Sequence, residues 1–261
     1  SEYLYHRILY VTMLVNQYKN DKMRKKSSRE KLLQAQNGLG LLCGNNGPFT
    51  NTQNRQNTYK FLVEAEKILR EDGKFIENIS RFDYNNDGQN EYVCRMQNYF
   101  SYISLLGGAI QELEIFKKTG NYADNFSRMQ EYDGVEDSYK RGLFIDHILS
   151  NDQFEKYING EASGDGVFSK VTYKEIKFSS RHHDLQLLAE AVYKPTNQKI
   201  SIRKKYIINS DGMNIQYIIK NESNKKLNVK FAVESNFADI NFIPDDLLYP
   251  SVEVAEKEQV I

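Results

Sequence analysis

A short acidic segment, Asp83 to Glu91, has the residue types of a calcium site. Side-chain oxygens stand at its first, third, fifth and ninth positions, and a glycine stands at the sixth. Calcium takes roughly six to eight oxygen ligands, and a glycine permits the sharp turn that aims them inward. The candidate ligands of this structural calcium site are Asp83, Asn85, Asp87, Gln89 and Glu91.

The same acidic segment has a second interpretation that needs no metal. Where an EF-hand carries a bidentate glutamate, at its twelfth position, this sequence has Cys94, so the segment is not an EF-hand. Asn and Asp side chains also hydrogen-bond their own backbone in Asx turns, and such turns open many β-hairpins. From the sequence, a calcium loop and a metal-free turn both stay open.

The remaining polar residues do not form a complete catalytic group. His6 has no second metal ligand four positions on, and His182 and His183 point to opposite faces of a strand. Asp146 and His147 would diverge in the same way, which favours a structural role over an acid–base couple. The sequence contains no Ser-centred elbow, phosphate loop or dinucleotide fingerprint. We therefore assign no catalytic residue.

Composition argues against several classes of protein. Lys plus Arg and Asp plus Glu both number 35, so no net charge attracts nucleic acid, and the basic run Lys22–Lys31 is predicted to be a solvated loop between helices. No apolar run approaches the ~20 residues that span a bilayer, and the N-terminus lacks the pattern of a signal peptide. Cys43 and Cys94 have neither disulfide nor zinc spacing. These features predict a cytoplasmic protein that binds neither nucleic acid nor membrane.

Residues 1–73 are predicted to form a three-helix bundle that leans on a larger body. The first helix has an apolar stripe with spacings of three and four residues. Ser27 and Glu30 have the spacing of a capping box, so the second helix is predicted to begin there. After a glycine-rich break, a third helix runs to Asp72–Gly73. The stripe of the first helix consists of Leu4, Ile8, Val11, Val15 and Tyr18.

Residues 74–261 are predicted to form an antiparallel β-sandwich, which makes the chain an α+β protein. The polar segment Asn121–Asp137 is predicted to be a long excursion between strands. Strand-like sequence continues to Phe242, so the sandwich is predicted to be truncated at its C-terminal end. The predicted strands are Tyr99–Ser104, Ala109–Phe116, Val167–Phe178, Leu185–Tyr193, Ile200–Ile208, Met213–Ile219 and Leu227–Val233.

Several stretches, in a fixed order along the chain, resemble the C-terminal half of glycoside hydrolase family 57. This family contains α-amylases and 4-α-glucanotransferases that act on α-glucans. The acidic turn at Asp83–Glu91 resembles a turn at the same point of family members. The stretches that carry the resemblance are Gln36–Glu66, Phe82–Glu91, Leu106–Glu114, Asp146–Leu149 and Phe231–Ala238.

The resemblance implies a fold and a partner. In family 57 a (β/α)₇ barrel carries the glutamate nucleophile and the aspartate acid/base, and it precedes a helical bundle and a galactose-mutarotase-like supersandwich. The barrel would therefore be missing from this chain, and the N-terminal catalytic barrel of the same parent protein would be its partner. The absence of an initiator Met likewise predicts a piece of a longer protein. An α-glucan ligand and a homodimer are further expectations.

The loop that completes the substrate cleft in this family is altered here. The family form is Gln-Cys-Asn-Asp-Ala-Tyr-Trp-His-Gly, and without gaps its Trp and His positions hold Leu42 and Cys43 in this sequence. Gln36 matches, and Arg55 agrees in the helix that follows, so these two are the candidate substrate-binding residues. The lost aromatic ring and imidazole call into question the activity of the parent protein.

Three hypotheses follow from the sequence. The chain is the non-catalytic part of an α-glucan hydrolase or 4-α-glucanotransferase, it is a carbohydrate-binding or purely structural β-sandwich with a degenerate loop, or it catalyses a reaction with its own residues. The order of the motifs favours the first. The third has least support, because no nucleophile, base and orienting group can be named together.

Overall fold

The computed structural model describes residues 2–41, 52–128, 135–164 and 167–238. Its N-terminal part is helical, with three α-helices before the first strand and a 3-10 turn over Leu39–Leu41 between the second and third. A fourth helix follows the sixth strand. The helices are α1 Glu2–Gln17, α2 Lys22–Ala35, α3 Thr52–Arg70 and α4 Asn151–Ile158.

The rest of the described chain consists mainly of antiparallel strands. The strands are β1 Asn78–Phe82, β2 Glu91–Arg95, β3 Tyr99–Ile103, β4 Ile110–Ile115, β5 Gly120–Asn121, β6 Leu143–Leu149, β7 Lys174–Ser179, β8 Asp184–Tyr193, β9 Gln198–Asn209, β10 Gly212–Asn221 and β11 Lys230–Ser235.

Within the described ranges these strands form two sheets. The first sheet has seven strands in the order β1-β2-β3-β4-β6-β11, with β5 paired to β4, and the second has four in the order β10-β9-β8-β7. The main core lies between them and contains, for example, Tyr92 and Ile103 from the first sheet with Leu187 and Ile202 from the second. Helices followed by two antiparallel sheets confirm the predicted α+β class.

The helices form a third layer, on the outer face of the first sheet. Tyr10 of α1 and Val63 of α3 pack in one buried cluster with Phe100 and Tyr102 of β3. A separate cluster, which includes Leu62, fills the interior of the bundle. The first sheet is therefore covered on both faces. The division into two domains at residue 73 stays a prediction.

The start of α2 differs from the sequence prediction. The helix begins at Lys22 rather than at a capping box of Ser27 and Glu30, because the side chain of Asp21 accepts hydrogen bonds from the backbone N–H groups of Met23, at 2.8 Å, and Arg24, at 3.1 Å. An aspartate at this position satisfies the first free amides and complements the helix dipole. The basic run Lys22–Lys31, predicted as a loop, therefore lies within helix α2.

Two further sequence predictions need correction. The strand expected from Val167 begins only at Lys174, since the preceding residues form turns. Helix α4 was not anticipated, although Ser150 and Gln153 form a complete capping box at its start. Leu42 and Cys43 lie outside the described residues. The strand-like residues 239–242 also lie outside them. No helix within the described ranges is both long and apolar enough to cross a bilayer.

A buried ion network joins the helices to the first sheet. Arg7, on α1, is fully buried and donates to Glu114 of β4 from Nε at 2.8 Å and from Nη2 at 2.6 Å. The same Nη2 donates to Glu66 of α3 at 2.6 Å. Glu66 also accepts from Arg70, at 2.6 Å, and from Arg95 of β2, at 3.0 Å. Two helices and two strands thus share one cluster of charges.

The charges in this network depend on one another. Burial alone would raise the pKa of Glu66, but its three arginine partners hold that pKa well below the usual range. Next to the network, Glu112 accepts hydrogen bonds from the hydroxyls of Tyr59, at 2.9 Å, and Tyr84, at 3.1 Å. Burial and the neighbouring Glu114 raise the pKa of Glu112 to about 8. The raised pKa favours the protonated form of Glu112 at pH 7, whereas the lowered pKa keeps Glu66 ionised.

Replacing Arg7 with Ala should lower the free energy of unfolding by about 3–5 kcal/mol, because Glu66 and Glu114 would stay buried without this partner. Urea unfolding followed by circular dichroism measures the change. Lys199→Ala is the control, since its pair with Glu190, at 2.9 Å, joins two side chains that are about half exposed. That variant should lose less than about 1 kcal/mol. Equal losses in both variants would show that the network does not hold the layers together.

Candidate functional site

The acidic loop Asp83–Glu91 connects β1 to β2 and is closed by its own hydrogen bonds. Asp83 accepts the backbone N–H of Asp87 and that of Gly88, both at 3.0 Å. Asn85 accepts the N–H of Asp87 at 3.0 Å, and Asp87 accepts the N–H of Gln89 at 2.8 Å. Gly88 has a φ of +87°, the left-handed conformation that its position requires. The bonds of Asn85 and Asp87 are those of successive Asx turns, and the bonds of Asp83 close the loop around them.

Glu91 stands apart from the other candidate ligands. Its carboxylate is buried at the start of β2 and accepts the backbone N–H of Tyr84 at 2.9 Å. Burial is the main reason why the pKa of Glu91 is raised to about 7. The carboxyl would therefore be partly protonated at neutral pH in the absence of a cation.

The fit of this loop to calcium is incomplete. Oxygens of Asp83, Asn85, Asp87 and Glu91 are already engaged with the loop's own amides. In the part of the chain that the structure describes, no group of three or more His, Cys, Asp or Glu side chains is arranged to hold a metal ion. The calcium site stays a prediction from the sequence, and the metal-free turn accounts for the observed hydrogen bonds.

The two candidate substrate-binding residues have different environments. Gln36 caps the C-terminus of α2, is exposed, and donates to the hydroxyl of Thr12 at 2.9 Å. Arg55, on α3, is buried, and its guanidinium pairs with Asp124, with Nε 3.1 Å from Oδ2. It also lies 4.7 Å from the centre of the Phe126 ring. Gln36 is open to solvent, whereas Arg55 is committed to an internal ion pair.

Two of the motif stretches meet on neighbouring strands. Strand β6 pairs with β11 so that Asp146 lies opposite Val233 and His147 lies opposite Ala232. The side chains of Asp146 and His147 point to opposite faces of the first sheet, as alternation along a strand requires. Each face holds a separate polar cluster.

The outward cluster is centred on Glu234 of β11. One carboxylate oxygen accepts hydrogen bonds from the hydroxyls of Tyr139, at 2.6 Å, and Tyr157 of α4, at 2.7 Å, and it lies 2.8 Å from Nε2 of His147. Burial would raise the pKa of Glu234, but these hydrogen bonds lower it to about 2. A side chain at Gly164 would collide with the imidazole, since a Cβ there would lie 2.1 Å from the ring. The carboxylate is therefore ionised and saturated with donors, which does not suit a nucleophile.

The inward cluster lies between the two sheets. Lys204 of β9 is fully buried, lies 2.8 Å from Asp146, and donates to the carbonyl oxygens of Gly108, at 2.9 Å, and Phe144, at 2.6 Å. The hydroxyl of Tyr173 donates to Asp146 at 2.6 Å. Burial raises the pKa of Asp146 and lowers that of Lys204, although each partner opposes the shift of the other. This enclosed pair links the sheets and has no open side for a substrate.

Sequence reasoning missed the charged residues that organise the fold. Glu66, Glu112 and Glu114 lie within motif stretches, yet their side chains bind Arg7, Tyr59 and other buried groups rather than a ligand. The available signal was a charged residue on a face that is otherwise apolar: Arg7 lies next to Ile8 in the stripe of α1. Such residues are usually paired when buried.

Comparisons with known proteins agree with the resemblance predicted from the motifs. Residues 135–253 match the family described as alpha-amylase/4-alpha-glucanotransferase, C-terminal. Among solved structures, the crystal structure of 4-alpha-glucanotransferase from Thermococcus litoralis is similar, with a TM-score of 0.75 and 20% sequence identity. The similarity covers 90% of this chain and 36% of that one, so this chain spans about a third of its solved relative. No curated protein sequence matches it.

Glu91 should give the chain a pH-dependent stability. Because its pKa is raised to about 7, the folded chain binds this proton more tightly than the unfolded chain, whose pKa is near the ordinary 4.5. The favourable contribution is complete at low pH and is lost as the pH rises from about 4.5 to about 7. Glu91→Gln should flatten this part of the stability curve, measured by thermal unfolding. The exposed control Glu155→Gln should give the same curve as the wild type. If Glu91→Gln kept the slope of the wild type, the assignment of this pH dependence to Glu91 would be wrong.

A chelator separates the two interpretations of the acidic loop. We expect the melting temperature to stay the same when a chelator is added, because the loop's oxygens are satisfied by its own amides. A metal bound only by the folded state would stabilise it by mass action. A fall in melting temperature that calcium reverses in the wild type, but not in Asp87→Ala, would establish the calcium site.

Glu234 should show the opposite dependence on pH. Its pKa is lowered to about 2, so its contribution is present above about 4.5 and is lost as the pH falls toward 2. Glu234→Gln should lower the free energy of unfolding by about 1–3 kcal/mol at neutral pH, since charge-assisted hydrogen bonds are lost. The difference from the wild type should disappear in acid. A difference that is independent of pH would contradict this, and Glu190→Gln is the exposed control.

Proposed function

We propose that this chain, which corresponds to the C-terminal part of an α-amylase/4-α-glucanotransferase-like protein, is a non-catalytic support for a catalytic barrel in the same parent protein. The similarity to a solved glucanotransferase leaves most of that chain uncovered, which is consistent with a catalytic part outside the match. The polar clusters of the described residues are saturated or enclosed. Neither can present a nucleophile and an acid to a glycosidic bond.

The observation that carries this proposal is the second apolar face of α1. Its buried face, with Leu4 and Val11, packs inside the bundle. On the other side Tyr5, Leu9 and Met13 follow one another at intervals of four residues and are 49%, 44% and 40% exposed. A helix that is apolar on two sides is normally covered on both. We call these three residues the outer stripe of α1.

The occupant that we propose for the outer stripe is the preceding part of the parent protein. About two thirds of the matched glucanotransferase chain lies outside the similarity, so a large body is available there. The outer stripe lies on the first helix of this chain, close in sequence to any preceding segment. A second copy of this chain could also cover the stripe, and this alternative is an outcome of the test below.

The α-glucan substrate of the parent protein is part of the same proposal. Gln36 is the candidate that a ligand can reach, because its side chain is exposed at the end of α2. Arg55 would act indirectly, by holding the start of α3 against the sheet through Asp124. A cytoplasmic location is consistent with the buried free thiol of Cys94, the one cysteine within the described residues.

Leu9→Lys should abolish the association of this chain with the N-terminal part of its parent reading frame, because a lysine cannot be buried in an apolar contact without a partner. Co-expression and co-purification of the two parts measures the association. The fold should persist, since Leu9 is 44% exposed. Leu33→Lys is the matched control, because Leu33 is 57% exposed on α2, outside the outer stripe.

Three results would overturn the proposal. The parent reading frame could lack an upstream barrel with two suitably placed carboxylates, or Leu9→Lys could co-purify as well as the wild type. The third result would be obtained by light scattering, if the isolated wild-type chain were a dimer and the Leu9→Lys variant a monomer. That result would assign the outer stripe to a second copy.

A further inference from the structure

Three of the four sheet edges in the described chain are protected against pairing with another strand. The first sheet ends in β1 and β11, and the second ends in β7 and β10. Strand β1 has only five residues, and the pairing of β11 shifts register between Glu234 and Ser235. Strand β7 has a register shift and three charged residues, Lys174, Glu175 and Lys177. Native proteins use short strands, bulges and charges of this kind to prevent edge-to-edge association.

The fourth edge, β10, is long and regular. It pairs with β9 over ten residues, from Gly212 to Asn221, without a register shift. It contains no proline and a single charged residue, Lys220, which lies near its end. Long, flat and apolar edges are the places where another strand adds to a sheet. The edge of β10 is therefore the one most open to an additional strand.

The free backbone groups of β10 belong to its odd-numbered residues. Directly after the strand, the N–H of Glu222 donates to the carbonyl of Lys199 at 2.9 Å. Because the backbone groups of an antiparallel strand alternate in direction, the even-numbered residues of β10 point their N–H and C=O groups at β9. Those of the odd-numbered residues, from Met213 to Ile219, point away from β9, and no described strand pairs with them.

The side chains of the same odd-numbered residues face the core between the two sheets, and the core is open beside them. Tyr217 packs against the main core and contacts Phe231 of β11, with the ring centres 5.3 Å apart. Ile219 lies on the same face of β10 but is 42% exposed, whereas Ile202, opposite it on β9, is fully buried. A strand added to β10 would use the free backbone groups and would also cover Ile219.

The edge of β10 is complementary to itself. In an antiparallel pair centred on Tyr217, Ile215 lies opposite Ile219 of the second copy. The free backbone groups of the two copies then meet, and apolar side chains lie next to one another. Lys220 lies opposite Asn214 of the second copy, so like charges are not opposed. A two-fold axis through this pair gives a closed dimer.

The described residues after β11 do not cover the edge of β10. The backbone N–H of Asn236 donates to the carbonyl of Gly142 at 3.0 Å, and that of Ala238 donates to the carbonyl of Tyr122 at 2.9 Å. Tyr122 follows β5, which pairs with β4 inside the first sheet, so residues 236–238 lead away from β10. Self-complementarity and this direction of the chain both favour a second copy as the occupant.

We propose that β10 pairs antiparallel with β10 of a second copy of this chain, so that the two four-stranded sheets become one continuous sheet. The second copy is recognised by backbone hydrogen bonds along the strand and by apolar contacts at Ile219, as in other cases of strand addition. The outer stripe of α1 belongs to the helical layer, on the far side of the first sheet. The dimer contact is therefore separate from the proposed contact with the catalytic barrel and does not depend on it.

Light scattering of the full chain tests this contact. The wild type should be a dimer. Ile219→Lys should raise the dissociation constant of the dimer at least about a hundredfold, because it places a lysine without a partner in the apolar contact of each copy. Ile218→Lys is the matched control and should stay dimeric, since Ile218 is 60% exposed on the outer face of β10. Circular dichroism of both variants should match that of the wild type.

Hydrogen exchange measures the same contact at single residues. The amides of Ile215, Tyr217 and Ile219 should be protected in the dimer and should exchange at least about tenfold faster in Ile219→Lys, because their bonds to the second copy are lost. The amides of Gln216 and Ile218, which point at β9, should stay protected in both proteins.

A monomeric wild type would overturn the proposal, and so would a dimer that Ile219→Lys leaves intact or that Ile218→Lys weakens equally. Protection of the same amides in a monomeric form of the longer parent protein would also overturn it, by assigning the edge to another segment of that protein. Leu9→Lys should stay dimeric and lose only its association with the N-terminal part of the parent. The two contacts can therefore fail independently of each other.

Discussion

The ion network around Arg7 and Glu66 sets the arrangement of the three layers. An apolar contact between helices and a sheet tolerates small displacements, but buried charges do not, because an unpaired buried ion costs several kcal/mol. Glu114 must face the helices at the point where Arg7 arrives, and Arg95 must reach Glu66 from β2. The position of the bundle on the first sheet is therefore specified by charge as well as by shape.

The same principle explains why conspicuous carboxylates do not form a catalytic centre. Glu66, Asp146 and Glu234 lie in the family-like stretches, and each is engaged by two or more donors. Their role is to connect elements that are distant in the sequence.

The sequence predicted the parts of the fold that depend on periodicity. The stripe of α1, the class of the fold and the long strands β8, β9 and β10 follow from spacings that repeat over many residues. Local capping was less predictable: Asp21 begins α2 although Ser27 and Glu30 offered a plausible alternative. Strands in the first sheet such as β2 were missed because both faces are buried, so alternation is absent.

The candidate sites were predictable only in their local chemistry. The acidic loop could be recognised as a tight turn from its Asn, Asp and Gly residues, but its hydrogen bonds depend on the backbone path. The outward cluster joins Tyr139, His147, Tyr157 and Glu234 through pairing of β6 with β11, which no local pattern specifies.

The distance along the chain between Arg7 and its carboxylate partner has a consequence for synthesis on the ribosome. Arg7 and Glu114 are 107 residues apart, so the helical layer cannot reach its final state until β4 has emerged. Domains are made from the N-terminus at about 5–20 residues per second, which leaves α1 waiting for several seconds. During that interval the guanidinium of Arg7 lacks its two bonds to Glu114, and the helix has two apolar faces. Until β4 has been made, α1 is therefore a part of the nascent chain that a chaperone can bind.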